Sequence, residues 1–115
     1  MLAKKFRFHR QNDVRRVYRN GSSARSSHLS LKYLKQHSPS DNRVAVVVSK
    51  KVDKKAVIRN RIRRRVYEII RNTWTDTKQG HDLVFTVHDK SIATIEHPEL
   101  EAEIKKLLKK AELAN

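Results

Sequence analysis

The spacing of apolar residues changes along the chain, and each change marks an element. Val14, Val17 and Tyr18 share one face of a short helix, capped by Asn12 or Asp13 and closed at Asn20 and Gly21. A serine-rich connector follows. Leu29, Leu31 and Tyr33 then alternate with polar residues, as in a half-buried strand. Ser38-Pro-Ser-Asp-Asn is a turn, and Val44 to Val48 reads as a strand buried on both faces. Ser49, Lys50 and Lys51, with a loop over 52–55, lead into the longest periodic stretch, Ile58 to Thr73. Ile58, Ile62, Val66, Ile69 and Ile70 recur there with a period near 3.6 and form the apolar stripe of a helix. Asn60, Arg64, Tyr67 and Arg71 fall opposite that stripe, and Arg59, Arg61, Arg63 and Arg65 lie on its flanks. Leu83 to His88 predicts another strand. The last helix begins near Pro98, with Glu99, Glu101 and Glu103 early and Lys105, Lys106, Lys109 and Lys110 late, matching the helix dipole.

This order describes an α+β fold, a two-layer sandwich in which a small mixed sheet of about four strands is covered by helices on one side. At 115 residues the chain forms a single domain spanning 1–115, led by a basic arm over residues 1–11.

Charge sharpens the picture because it is unevenly placed. Residues 1–75 hold 21 Lys and Arg against 4 Asp and Glu, a net of +17, whereas residues 76–115 hold 6 against 8, a net of −2. Six arginines crowd the helix from Ile58 with Glu68 as its one acid, and such a face repels itself unless a polyanion covers it. Arginine forks match phosphate geometry and stack on bases, so nucleic acid is the expected partner. A membrane surface is a poor alternative, since no basic stretch carries an aromatic and leucine-rich insertion face. Cysteine is absent, the first ten residues lack an apolar core, and no segment is apolar enough to span a bilayer, so a cytoplasmic location is expected.

Catalysis by the chain itself lacks a constellation. His81-Asp82 and His88-Asp89 bracket one strand and stand about 20 Å apart when it is extended, too far to share an ion. His9, His28, His37 and His97 are scattered through loops and the arm, Asp13 and Glu68 lie apart on the helices, and the serines of 22–30 have no evident paired base. No catalytic or metal-ligating residue is therefore expected.

At the junction of the buried strand and the basic helix the chain reads Val-Ser-Lys-Lys-Val-Asp-Lys-Lys-Ala-Val-Ile-Arg-Asn-Arg-Ile-Arg-Arg, residues 48–64. This resembles the signature of the bacterial ribonuclease P protein subunit, whose Arg-Asn-Arg helix follows a strand ending in Ser-Lys-Lys. The resemblance extends over nearly the whole chain, including the short helix ending at Gly21 and the Asp82-Leu-Val-Phe strand. It implies a sandwich like the second domain of a small-subunit ribosomal protein. It also implies a role in a ribonucleoprotein that removes the 5′ leader from precursor tRNA, with a catalytic RNA and precursor tRNA as partners and no obligate protein partner. Magnesium is then needed by the holoenzyme, and no cofactor by the protein alone. Arg59, Asn60, Arg61, Arg63, Arg64 and Arg65 would bind the catalytic RNA, and the positions of Val14, Tyr18, Ser49, Lys50 and Lys51 would bind the leader.

Two positions depart from the family pattern. It usually has an aromatic where this chain has Val14 and an arginine where it has Tyr67. Tyr18 shares a face with Val14 and Val17, so burial competes with base stacking as its role; Lys50 and Lys51 either protect a strand edge or continue the basic track. Trp74 reads as a packing residue. The competing functions are a ribosomal or ribosome-assembly protein that scaffolds RNA, which needs no leader cleft, and a DNA-binding regulator, disfavoured because no supporting helix and turn precede the basic helix.

Overall fold

The computed structural model describes residues 6–8, 11–37 and 41–115, leaving aside the side chains of 11 and 12. Its elements run α1 (Gln11–Asn20), β1 (Ser22–Arg25), β2 (Leu29–Lys35), β3 (Arg43–Val47), α2 (Ala56–Asn72), a short 3-10 turn (Trp74–Asp76), β4 (His81–Val87), a second such turn (Lys90–Ala93) and α3 (His97–Lys110). The strands form one mixed sheet in the order β1-β2-β4-β3. β2 lies antiparallel between β1 and β4, while β3 and β4 are parallel and joined through α2.

Side-chain alternation explains the layers. Leu29 and Leu31 of β2, Val44 and Val46 of β3, and Leu83, Phe85 and Val87 of β4 point to one face, where Ile62, Val66, Ile69 and Ile70 of α2 and Leu100, Ile104, Leu107 and Leu108 of α3 cover them. This is the α+β arrangement the hydrophobic pattern predicts. The opposite face carries a second, smaller cluster in which Val17 of α1 and Phe8 meet Ala45 and Val84, with Val14, Leu34 and Val47 at its margin. α1 thus lies on the far side from the other helices rather than with them on one side as expected, because Ala45 and Val84 give that face its own apolar patch, and part of the face stays open.

Several elements differ from expectation. α1 begins at Gln11, which places Asp13 in its first turn rather than at its cap. The serine-rich connector is a strand: Ser22 to Arg25 pairs with Tyr33 to Ser30, and Ala24 packs on the main core. Tyr67 is not opposite the apolar stripe but buried at its edge, where its hydroxyl accepts the Val46 backbone N–H at 3.2 Å. Residues 38–40 of the expected turn lie outside the described residues. Beyond them Asn42, fully buried, donates to the Lys78 carbonyl and accepts from the His81 N–H, each at 2.8 Å, tying the entries of β3 and β4 together.

Two close approaches fix the start of the fold. Arg7 bridges Val44 in parallel register and Phe8 N–H donates to the Val44 carbonyl, so this stretch of the arm lies along the outer edge of β3. At Gly21, where α1 gives way to β1, a Cβ would lie 2.5 Å from the Val17 carbonyl oxygen and 2.7 Å from that of Tyr33, so only glycine fits.

Candidate nucleic-acid interface

α2 presents its arginines unequally. Arg61 and Arg64 are exposed and have no hydrogen bond or ion pair among the described residues. Arg59 donates to the carbonyls of Asp53 and Lys54, at 2.9 and 2.8 Å, and so braces the loop entering its own helix. Arg63 bonds the side-chain oxygen of Asn60 one turn back. Arg65 reaches the carbonyls of Ile92 and Ile95 and pins the second 3-10 turn against α2. Arg71 pairs with Glu68 at 2.6 Å, and the hydrogen bond from Arg71 is the main reason the Glu68 carboxyl is held below its usual range. The helix therefore has an outward face led by Arg61 and Arg64, flanked by guanidiniums already held in place. Lys50, Lys51, Lys54 and Lys55, all exposed, extend that positive surface ahead of the helix.

A groove of about 620 Å³ runs between this face and the β3 edge. Ala45, Val46 and Val47 form its floor, Asn60, Arg63 and Arg64 one wall, and Phe8 and Val14 the other. Arg7 closes it, with its guanidinium 5.7 Å from the Tyr67 ring centre and its Nε buried without a hydrogen-bond partner. Sequence reasoning passed over Arg7 and Phe8 because an arm of mixed basic and aromatic residues has no period to read.

The sequence-predicted leader residues separate into two places. Val14 is half-buried at the groove, within the smaller apolar cluster. Tyr18 is 37% exposed, and its hydroxyl is hydrogen-bonded to Thr86 Oγ1 on the open face of the sheet. Core burial is thus not its role. Val47 is the register partner of Thr86, and Ser49, Lys50 and Lys51 follow directly, all three exposed, so strand pairing brings them to the end of the sheet that Tyr18 occupies. Ser30 pairs with Thr86 from the other side, and its hydroxyl meets His88 Nε2 at 2.8 Å. One serine thus does have a base beside it, in an exposed cross-strand contact.

Asp82 is taken up structurally. Its carboxylate, 0% exposed, receives Arg43 through Nε at 3.0 Å and a terminal nitrogen at 2.8 Å, Arg16 at 2.6 Å and Gln36 at 3.1 Å. Burial pushes its pKa up, but the hydrogen bonds from Arg43 and Gln36 and the two positive charges outweigh that and hold it below the usual range. His28 is bonded to Glu103, and His97 lies 3.7 Å from Glu101. Among the described residues no three His, Asp or Glu side chains converge as metal ligands would. Nor is any described helix long and apolar enough to cross a membrane.

The family model for ribonuclease P matches residues 2–112. The chain belongs to the ribonuclease P protein family. It is 36% identical over 113 residues to the ribonuclease P protein component of Pseudanabaena sp. (strain PCC 6903), a match covering 98% of this chain and 97% of that one. Solved ribonuclease P proteins share its fold. The Staphylococcus aureus protein superposes with a TM-score of 0.83 at 21% identity, covering 96% of this chain and 98% of its own. The Thermotoga maritima protein gives 0.80 at 23% identity, covering 90% and 96%. The basic face of α2 and the open sheet face beside Tyr18 are both exposed.

Proposed function

We propose that this protein is the RNA-binding subunit of a ribonuclease P ribonucleoprotein, the endoribonuclease that removes the 5′ leader from precursor tRNA. The chemistry belongs to the RNA subunit. This chain contributes affinity and placement: Arg61 and Arg64, with Arg59, Asn60, Arg63 and Arg65 around them, hold the catalytic RNA, while Tyr18, Ser49, Lys50 and Lys51, with Val14 at the adjoining groove, hold the leader. The observation that carries this reading is the exposed Tyr18 ring on the open sheet face, a surface distinct from the arginine helix. An aromatic beside lysines grips single-stranded RNA with little regard to sequence, as an enzyme meeting many leaders requires. A pure scaffold would need only the arginine face. Magnesium, on this reading, is bound by RNA phosphates and compensates charge that the protein's arginines partly neutralise.

The test is cleavage of a 5′-labelled precursor tRNA at low magnesium by a bacterial ribonuclease P RNA, with and without the protein, and by the protein alone. Cleavage at the mature 5′ end that is stimulated only when both are present supports the reading. Tight RNA binding without stimulation would put the scaffolding role first.

A further inference from the structure

The leader site just proposed depends on how α1 is seated, and its seating rests on a buried carboxylate. Val17 points straight down from α1 and is fully buried over Val84 and Ala45. Successive helical residues are turned by about 100°, so Arg16 and Tyr18 descend on opposite flanks of the helix. Arg16 reaches Asp82 and Tyr18 reaches Thr86, four residues further along β4 and on the same face of the sheet. Val84 lies midway between them. The helix therefore straddles β4 with one tether on each side, an arrangement that resists rolling about the helix axis.

We propose that Asp82, through Arg16, is a positioning residue for the leader: the pair sets the roll of α1 and thereby the angle at which Tyr18 presents its ring to RNA. This rests on the leader reading above. Asp82 has no exposed surface and cannot touch RNA itself. Its other partners come from the sheet: Arg43, its register neighbour on β3, and Gln36, just beyond β2. Arg43 also approaches Asp13 in the first turn of α1 at 3.9 Å and lies 5.2 Å from the Phe8 ring centre. Removing Arg16 thus leaves the carboxylate paired and the sheet intact while loosening one side of the helix. Burying a carboxylate in order to pair it is a costly way to gain stability, and what the pair provides here is direction.

The test uses the holoenzyme reconstituted with a bacterial ribonuclease P RNA, and measures KM and kcat for precursor tRNA with affinity for mature tRNA as control. Arg16→Gln is expected to raise the precursor KM about fivefold or more, the scale of a weakened base stack, with kcat and mature-tRNA affinity unchanged. Arg16→Lys, which keeps the charge but not the fork, falls between. Arg15→Gln, which removes the same charge from the same helix at an exposed position, changes KM much less. In a Tyr18→Ala background, Arg16→Gln adds nothing further. If its effect is instead fully additive there, or matches that of Arg15→Gln, Arg16 acts as a simple charge and the positioning role is overturned while the leader reading stands. If Tyr18→Ala itself leaves precursor KM unchanged, both fall.

Discussion

Tyr18 and Thr86, 68 residues apart in sequence, are joined hydroxyl to hydroxyl across the line where α1 meets the open face of the sheet. The bond holds the ring beside β4 while leaving it accessible. Its two functions can be separated. Tyr18→Phe keeps the ring and loses the tether, whereas Tyr18→Ala loses both. In holoenzyme binding assays, Tyr18→Ala is expected to weaken precursor tRNA by about 1–3 kcal/mol and to spare mature tRNA. Tyr18→Phe should cost less. Equal losses for precursor, mature tRNA and RNA subunit would point to misfolding.

The division of labour among the α2 arginines predicts different phenotypes. Replacing Arg61 and Arg64 together by Ala should weaken the catalytic RNA complex and flatten the slope of log affinity against log salt by about 1.4–1.8, two phosphate contacts' worth. Arg65→Ala removes a charged donor from two carbonyls and should lower folding stability by about 1.5–3 kcal/mol in urea titrations. An unchanged salt slope for the double variant would remove the exposed face from the RNA interface.

Tyr67→Phe strands the buried N–H of Val46. The expected cost is about 1–3 kcal/mol of stability, read as a lower denaturation midpoint, with the salt slope for RNA binding unaltered.

His28 and Glu103 fix the β1–β2 connection to α3: His28 Nδ1 lies 2.7 Å from one carboxylate oxygen, and the other accepts the His28 N–H and the Ser26 hydroxyl. The hydrogen bond to Glu103 raises the His28 pKa, against burial. Burial pushes Glu103 up, but the bonds from His28 and Ser26 bring it below its usual value. The raised imidazole stabilises fully below the unfolded histidine value and fades as pH climbs through its folded one. The depressed carboxylate stabilises fully above the unfolded glutamate value and fades as pH falls through its folded one. The stability gap between wild type and Glu103→Gln should therefore be widest from about pH 4.3 to about pH 6.5 and narrow on both sides. A gap that is flat with pH would mean the pair contributes no charge interaction.

The elements with a strong period were the legible ones. The stripe from Ile62 to Ile70 placed α2, and the unbroken run at Val44 to Val48 implied cover on both faces of β3, which α2 and α1 provide. The order of elements, read as helices on one side only, did not reveal that α1 takes the other. Ser22 to Arg25 was opaque because its strand character comes from pairing with β2 and not from its own side chains. Tyr67 misled because it sits some 140° round the helix from Ile62, where an isolated helix would meet water; here β3 and the arm curl over that flank. The site was half legible. Motif and charge pointed to α2, and Tyr18 to the sheet, but Thr86, Arg7 and the partners of Asp82 became visible only once distant segments were brought together.

The contact between Phe8 and Val44 has a bearing on life outside the ribonucleoprotein. By occupying the outward backbone carbonyl of Val44, the arm interrupts the flank of the sheet that is richest in valine and most prone to recruit another chain. The remaining flank, β1, is four residues long and built of serine, alanine and arginine, a poor template for further strands. A protein at +15 charge is already kept apart from its copies in dilute salt, but that repulsion fades when counterions are abundant. A backbone hydrogen bond depends little on salt, so this cover at Val44 persists under the conditions in which charge alone protects least.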